Sequence, residues 1–434
     1  MTALDLSTPP APRDRTWTAP DAHWPALSAA TARLDPPLAV LHLPALRHNA
    51  HDMLRRVAAG AAASGSAPAK PIRVASKSVR VRSVLDAVLA LPGYRGVLAY
   101  TLPEALWLAE GDDGHEPITD VVVGYPTADR SAIARLAASP ELASRVTLMV
   151  DSVAHLDLVD AVTRPGARET IRVCLELDSS WDAPVLGHVG VYRSPLHAPA
   201  ELRALAEEVV RRPGFSLVGI MGYEAQIAGQ GDRPPGRPAW GATLRRVQRS
   251  SREELLGRRG EAVAAVRAIA ELAFVNGGGT GSLEFTASDP SVTELAAGSG
   301  LFGGHLFDTY RGFRPAPAAA FALPVVRRPD ERTATLLGGG WVASGPPGPD
   351  RLPKPVWPAG LTMVAREMAG EVQTPVRGAA ASVLRVGDRV WFRHTKSGEL
   401  SEHVNAFQLV DSVDGRVAVI GEVPTYRGEG RDFL

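Results

Sequence analysis

From about residue 70 the chain alternates between two hydrophobic periods. Short runs of consecutive apolar and β-branched residues are each followed by an Ala/Leu/Arg segment whose apolar positions recur every three to four residues, the pattern of strands alternating with amphipathic helices. Eight runs qualify: "PIRVA", "GVLAY", "DVVVG", "VTLMV", "IRVCLEL", "SLVGIMG", "AFVNG" and "TELAAGSG", beginning at Pro71, Gly96, Asp120, Val146, Ile171, Ser216, Ala273 and Thr293. Between them lie helical stretches such as "LPEALWLAE", "RSAIARLAA" and "PAELRALAEEVVRR". Repeated βα units build a parallel sheet covered on both faces, and eight of them predict a closed (β/α)8 TIM-like barrel, with an open doubly wound sheet as the alternative. After about Phe307 the helical period stops. The segments "AFALPVVRRP", "ERTATLLGGGW", "GDRVWFRH" and "FQLVDSVDGRVAVIGEV" alternate between turns and short strands, so the fold class is α/β, a barrel with a second, mostly β domain. The expected division is an N-terminal arm over residues 1–35 that joins the β domain, a barrel over 36–306 and the β domain over 307–434.

Composition narrows the function classes. Of 434 residues, 45% are hydrophobic and 22% charged, and no apolar run is long enough to cross a bilayer. Lys plus Arg equals Asp plus Glu at 47 each, so no basic field exists to attract a nucleic-acid backbone. The one cysteine, Cys174, cannot form an internal disulfide, and the first twenty residues lack a secretory pattern, which together predict a cytoplasmic location.

In a (β/α)8 barrel the chemistry sits where strands end. After the first strand comes "RVASKSVR", Arg73 to Arg80, with Lys77 two residues past the strand's end. After the seventh comes "NGGGTG", Asn276 to Gly281, whose glycines would let backbone N–H groups converge on an anion. A lysine at one strand end and a phosphate cradle at another are the parts needed for a Schiff base to a phosphorylated aldehyde cofactor, pyridoxal 5'-phosphate. Arg73 and Arg80 are the neighbouring cations expected to lower the amine's pKa. The loop "AQIAGQGDRPPGRPAWGATLRR" is expected to extend from the sixth strand over the same face.

The segment "PPLAVLHLPALRHNAHDM" resembles the entry segment of the alanine racemase N-terminal domain. In order along the chain, "VLAYTLPEALWLAEGD", "VVVGYPT", "VTLMVDSVAHLDLV", "LELDSS", "GIMGYEAQ", "VNGGGTGSLEF" and "TELAAGSGLFGG" resemble the strand ends of D-threonine aldolases and D-serine dehydratases. The resemblance spans about residues 36 to 425 and implies a fold-type III pyridoxal phosphate enzyme of the amino acid deaminase/aldolase group. It places Lys77 at the Schiff-base lysine, Gly277, Gly278, Gly279 and Thr280 on the phosphate turn, and Gly298 and Ser299 on a second turn closing around that phosphate. It also places Tyr223 beside the cofactor ring and His188 where relatives carry arginine. The implied substrate is a D-configured β-hydroxy amino acid, cleaved by deamination or by retro-aldol chemistry, and the implied assembly is a homodimer.

One departure bears on mechanism. Relatives carry a His and a Cys or Asp that bind a divalent metal in the β domain, whereas this chain has "FRHTK", with His394 retained and Lys396 at the second ligand's place. An ammonium has no lone pair to donate, so a metal would need Glu399, Glu402 or His403 instead. The metal-free expectation is that His394 and Lys396 polarise or protonate the β-substituent. Two rival readings are a racemase, with Tyr310 or Tyr426 as second base, and a non-catalytic pyridoxal phosphate-binding protein.

Overall fold

The computed structural model describes residues 4–65, 69–112, 114–346, 348–396 and 398–434. Two compact units emerge: a barrel unit (residues 53–76, 89–298 and 433–434) and a β-rich unit (residues 1–52, 77–88 and 299–432). In chain order the strands begin with β1 (Leu38–His42), which belongs to the β-rich unit. The barrel strands β2 (Ile72–Ala75), β3 (Tyr94–Ala99), β4 (Val121–Val123), β5 (Val146–Val150) and β6 (Ile171–Glu176) follow. A hairpin, β7 (Trp181–Ala183) with β8 (Gly187–Val189), then precedes barrel strands β9 (Phe215–Met221), β10 (Phe274–Gly277) and β11 (Glu294–Ala297).

The barrel closes in the order β10-β11-β2-β3-β4-β5-β6-β9, all parallel, so the closed barrel holds and the open sheet does not. Each of the eight runs read from the sequence supplies one of these strands. Local chemistry starts the helices. Thr101 caps Leu102–Glu110 by accepting the Glu104 N–H, and the buried Glu104 carboxylate reaches back to the Tyr100 N–H at 2.7 Å. The loop expected over residues 225–246 is mostly helical. Ala225–Ala228 forms one turn, and Pro238 opens a helix running to Arg267, because proline's fixed φ and missing N–H suit the first helical position.

The barrel interior is layered. Toward the N-terminal end, Arg73 is 1% exposed and bonds Glu294 through Nε at 2.6 Å and Nη2 at 2.9 Å, and Asp120 through Nη1 at 2.9 Å and Nη2 at 3.0 Å. Burial opposes its charge, but Glu294 and then Asp120 more than offset that and raise its pKa. Gly96, at φ +65°, makes room: a Cβ there would lie 2.4 Å from Arg73 Nη1. Above this layer Val122, Met149, Cys174, Met221 and Phe274 pack as an apolar plug, each from a different strand.

In the β-rich unit, strands β12 (Ala319–Asp330), β13 (Thr333–Leu337), β14 (Lys354–Trp357), β15 (Thr362–Met363), β16 (Gln373–Arg377), β17 (Arg389–Arg393), β18 (Ala406–Val413) and β19 (Arg416–Pro424) form a sheet with β1. β1 lies between β12, antiparallel, and β18, parallel. Helix Pro20–Ala30 of the N-terminal segment packs on this sheet. Trp24 meets Trp391 at 6.1 Å between ring centroids, and Trp391 Nε1 donates to Ser28 Oγ at 2.7 Å. Among the described residues no helix is long and apolar enough to cross a membrane.

Candidate active site

Strand parity decides which side chains line the C-terminal mouth of the barrel. Met149, Cys174, Met221 and Phe274 point inward, so Asp151, Glu176, Tyr223 and the Asn276–Gly278 corner, two residues on or an even step along, point the same way. The glycine turn approaches Tyr223: a Cβ on Gly279 would stand 3.1 Å from the tyrosine's Cε2 and 3.0 Å from Ala228 Cβ. Gly278 has φ +92°, a conformation that favours glycine. On β11's exit, a Cβ on Gly298 would lie 2.3 Å from the Ala75 carbonyl oxygen, so the last residue of β2 and this glycine touch backbone to backbone.

Behind the turn lies the fully buried Glu224. It accepts from Gly278 N–H at 3.0 Å, Ser282 Oγ at 3.2 Å and Thr286 Oγ1 at 2.5 Å, and faces Arg259 Nη1 at 3.5 Å. Arg259 is held in turn by Asp289, Nε to Oδ2 at 2.7 Å. Gly279 N–H donates to Ser282 Oγ at 3.2 Å. The expectation of glycine N–H groups converging on an anion is therefore revised. Two of those donors serve the turn's own scaffold, and the glycines contribute chiefly an absence of side chains. Thr280, nearly buried, begins the 3-10 turn Thr280–Ser282 that follows.

Tyr223 is partly buried, and burial pushes its phenol up to about 12, so it stays a neutral hydrogen-bond donor. Across its ring lies a guanidinium, but it is not at His188. His188 sits on the β7–β8 hairpin, stacks on Tyr192 with centroids 4.2 Å apart and faces Asp182 at 3.2 Å. The cation at the mouth is Arg193, 5.3 Å from the Tyr223 centroid and 5.5 Å from that of Tyr125. Ser194 anchors it by donating to the Glu176 carbonyl at 2.6 Å, and Arg258 pins the same loop through the carbonyls of Asp178, Ser180 and His197. No sequence signal marked Arg193, because its place depends on how the hairpin folds back.

The β-rich unit holds the turn that carries Lys77. Residues Ser76–Ser78 form a 3-10 turn directly after β2, and Lys77 is half-buried. Arg80, at φ +52°, donates from Nε to the Lys77 carbonyl at 3.0 Å and pairs with Glu402. Ser401 Oγ donates to Val79 O at 2.7 Å, Tyr426 N–H to Arg80 O at 2.9 Å, and a Cβ on Gly398 would sit 2.3 Å from Lys77 O. Neither expected cation is free to tune an amine. Arg73 is matched by two carboxylates in the barrel and Arg80 by Glu402.

His394 is 1% exposed, edge-on to Phe302, and neither ring nitrogen has a hydrogen-bond partner among the described residues. Burial lowers its pKa and keeps the ring neutral, so no exposed ring nitrogen supports its expected role as proton donor. Lys396 is partly exposed, while Glu399 Oε1 accepts the N–H groups of both Thr395 (2.7 Å) and Lys396 (2.9 Å). The substitute metal ligands are committed elsewhere, Glu402 to Arg80 and His403 to a stacking contact with Trp341 at 5.3 Å. Among the described residues no group of three or more His, Cys, Asp or Glu is arranged to hold a metal. These donors do not fit a metal site. Ser299 opens the short helix Ser299–Phe302, and the racemase candidates lie in cores: Tyr310 among Phe307 and Phe313, Tyr426 1% exposed.

An eight-stranded parallel barrel, a glycine corner beside a tyrosine at its mouth, and a sheet unit that clamps a lysine turn together define the fold of the alanine racemase-like, fold-type III enzymes, and this chain has it. No protein-family model matches the chain. The 3-hydroxy-D-aspartate aldolase of Paracoccus denitrificans is 28% identical over 228 residues, 52% of this chain and 51% of that protein, so the match spans about half the length of this curated relative. The crystal structure of D-threonine aldolase from Filomicrobium marinum superposes with a TM-score of 0.72 at 19% identity, covering 93% of this chain and 97% of that one. D-threo-3-hydroxyaspartate dehydratase from Delftia sp. HT23 gives 0.64 at 20% identity, covering 89% and 97%.

Proposed function

We propose that the protein is a pyridoxal phosphate-dependent lyase acting on a D-configured β-hydroxy amino acid, by retro-aldol cleavage or by dehydration and deamination. The observation that carries this reading is the similarity to a 3-hydroxy-D-aspartate aldolase, joined to a fold shared with an aldolase and a dehydratase of such substrates.

The residue types gathered here suit the cofactor's chemistry. By the family resemblance Gly277, Gly278, Gly279, Thr280, Gly298 and Ser299 would hold the phosphate and Tyr223 would pack beside the ring; the glycines are packed too closely by Arg259, Thr286, Ala228, Tyr223 and Ala75 to admit a side chain at this corner. Lys77 would supply the attaching amine. When bound, pyridoxal phosphate supplies an electron sink for whichever bond breaks at Cα. The Lys77 amine would hold or move the proton at Cα. Neutral Tyr223 donates rather than repels, and Arg193 over its ring keeps a positive charge at the barrel mouth for an anionic group of the substrate. Of the pair expected to act on the β-substituent, Lys396 is partly exposed whereas His394 is enclosed. A homodimer belongs to the same proposal and is tested by light scattering on the purified chain.

The test is direct. Protein incubated with pyridoxal phosphate should gain an absorbance band near the visible edge, and borohydride should fix the cofactor on Lys77. Lys77→Ala should abolish both. Product assays with D-threonine, D-3-hydroxyaspartate, D-serine and alanine then separate the readings: an aldehyde or keto acid marks a lyase, inverted alanine a racemase, and cofactor binding without turnover a carrier. A protein that stays colourless overturns the proposal.

A further inference from the structure

Glu176 ends β6 and is a nearly buried carboxylate of the barrel unit. It shares the inward face with Cys174 of the apolar plug, and the β5–β6 register, Val150 beside Leu175, sets it next to Asp151. It is 5% exposed, yet its carboxyl makes no hydrogen bond or ion pair with any described residue. Arg73, Glu294, Asp120, Glu224 and Asp289 are all matched within the barrel; this side chain is not. Its oxygens are not among the enclosed, unsatisfied ones, so the carboxyl is held near the core yet still reaches the mouth, where a ligand would meet it. It lies on the rim where barrel enzymes keep their chemistry, beside Tyr223's strand, with Glu176 paired in register to Met221.

We propose that Glu176 exchanges the proton of the substrate's β-hydroxyl. This rests on the lyase reading above and names the group that reading lacks. In the retro-aldol direction the hydroxyl O–H bond breaks and its proton joins a Glu176 oxygen. The freed pair forms the aldehyde C=O, and the Cα–Cβ pair stays with Cα. Uptake of one proton at Cα balances the proton lost from oxygen, so D-threonine gives glycine and acetaldehyde. In the dehydration direction the Cα proton would pass to the Lys77 amine, the Cα–H pair would become Cα=Cβ as the Cβ–O bond breaks, and the protonated Glu176 would give its proton to the departing hydroxide, which leaves as water.

The surroundings suit a group that must both take and give a proton. Burial is the largest influence and raises the Glu176 pKa to about 7; Arg193 opposes it, and Asp151 and Asp178 add to it. The other titratable groups facing this part of the rim are spoken for: His155 contacts Asp151 at 3.2 Å, His197 contacts Asp178 at 3.0 Å, and Cys174 is enclosed below.

Three measurements test it. In the cofactor-free protein, the infrared carbonyl band of a protonated carboxyl should titrate with a midpoint near pH 7 and vanish in Glu176→Gln. Glu176→Gln should still be trapped on Lys77 by borohydride with pyridoxal phosphate, while kcat for D-threonine or D-3-hydroxyaspartate falls by about 100-fold or more and the pH limb near 7 flattens. Glu176→Asp should recover part of the rate with a shifted limb. A Glu176→Gln protein that loads cofactor and keeps wild-type kcat and pH profile, or an infrared titration unchanged by the substitution, overturns this inference alone. A wild-type chain that binds no pyridoxal phosphate, or turns over neither substrate, overturns the lyase reading with it.

Discussion

Replacing Glu224 by glutamine should loosen the glycine turn measurably without changing side-chain volume. The carboxylate accepts from one backbone N–H and two hydroxyls and faces Arg259. An amide has one acceptor oxygen and two donors, so the bonds at whichever oxygen becomes NH2 are lost or must reverse direction, and every contact loses the carboxylate's charge. Arg259, 1% exposed, would then be balanced by Asp289 alone. A lost hydrogen bond to a charged group is worth roughly 1.5–3 kcal/mol, and removing one member of a buried ion pair costs about 3–5 kcal/mol. The two overlap, so the expected total is about 3 kcal/mol. For a domain of 150–250 residues this lowers Tm by about 6–12 °C. Differential scanning calorimetry gives the shift, and hydrogen exchange at the Gly278 amide should speed up in parallel. A Tm within a degree of wild type, with Gly278 exchange unchanged, would refute the argument that a charged Glu224 holds this corner.

Gly398→Ala should displace the Lys77 turn, because the new Cβ meets the Lys77 carbonyl oxygen, a backbone atom that cannot rotate away. Borohydride trapping of pyridoxal phosphate should fall severalfold while far-ultraviolet circular dichroism is retained; undiminished trapping counts against the clamp. Acidification should release the N-terminal segment. Burial holds His23 down to about 3, with His42 adding to the shift, and burial, then Arg47, does the same for His42. Their folded pKa values lie below the unfolded one, so the stability they permit is complete above about pH 6.5 and is lost as pH falls toward 3. At pH 5 the loss is about 2 kcal/mol each. Trp17 and Trp24 pack on these rings, so tryptophan fluorescence should report the change, and His23→Gln should flatten the pH slope of the denaturation midpoint.

The barrel was legible because a parallel strand covered on both faces writes itself as an unbroken apolar run. All eight runs, from "PIRVA" to "TELAAGSG", became strands in sequential order around the barrel; the β7–β8 hairpin, with strands of three residues each, was too short to show a period. Lys77, Tyr223 and the glycine corner were legible by residue type and position after a strand. Three features were decided only by tertiary structure. β1 reads like one more apolar run, but it lies between β12 and β18 in the sheet unit, a choice made by partners as far off in the chain as Ala320 and Gln408, both paired with Val40. Arg73 looked like a cation beside the lysine until inward strand parity set it against Glu294 and Asp120. His188 looked like the family's arginine position, yet the returning loop put Arg193 over Tyr223. Apolar periodicity is a local property of the chain and survives in the sequence. The partner of a charge, and therefore whether that charge is structural or available for chemistry, is fixed only when distant strands come into register.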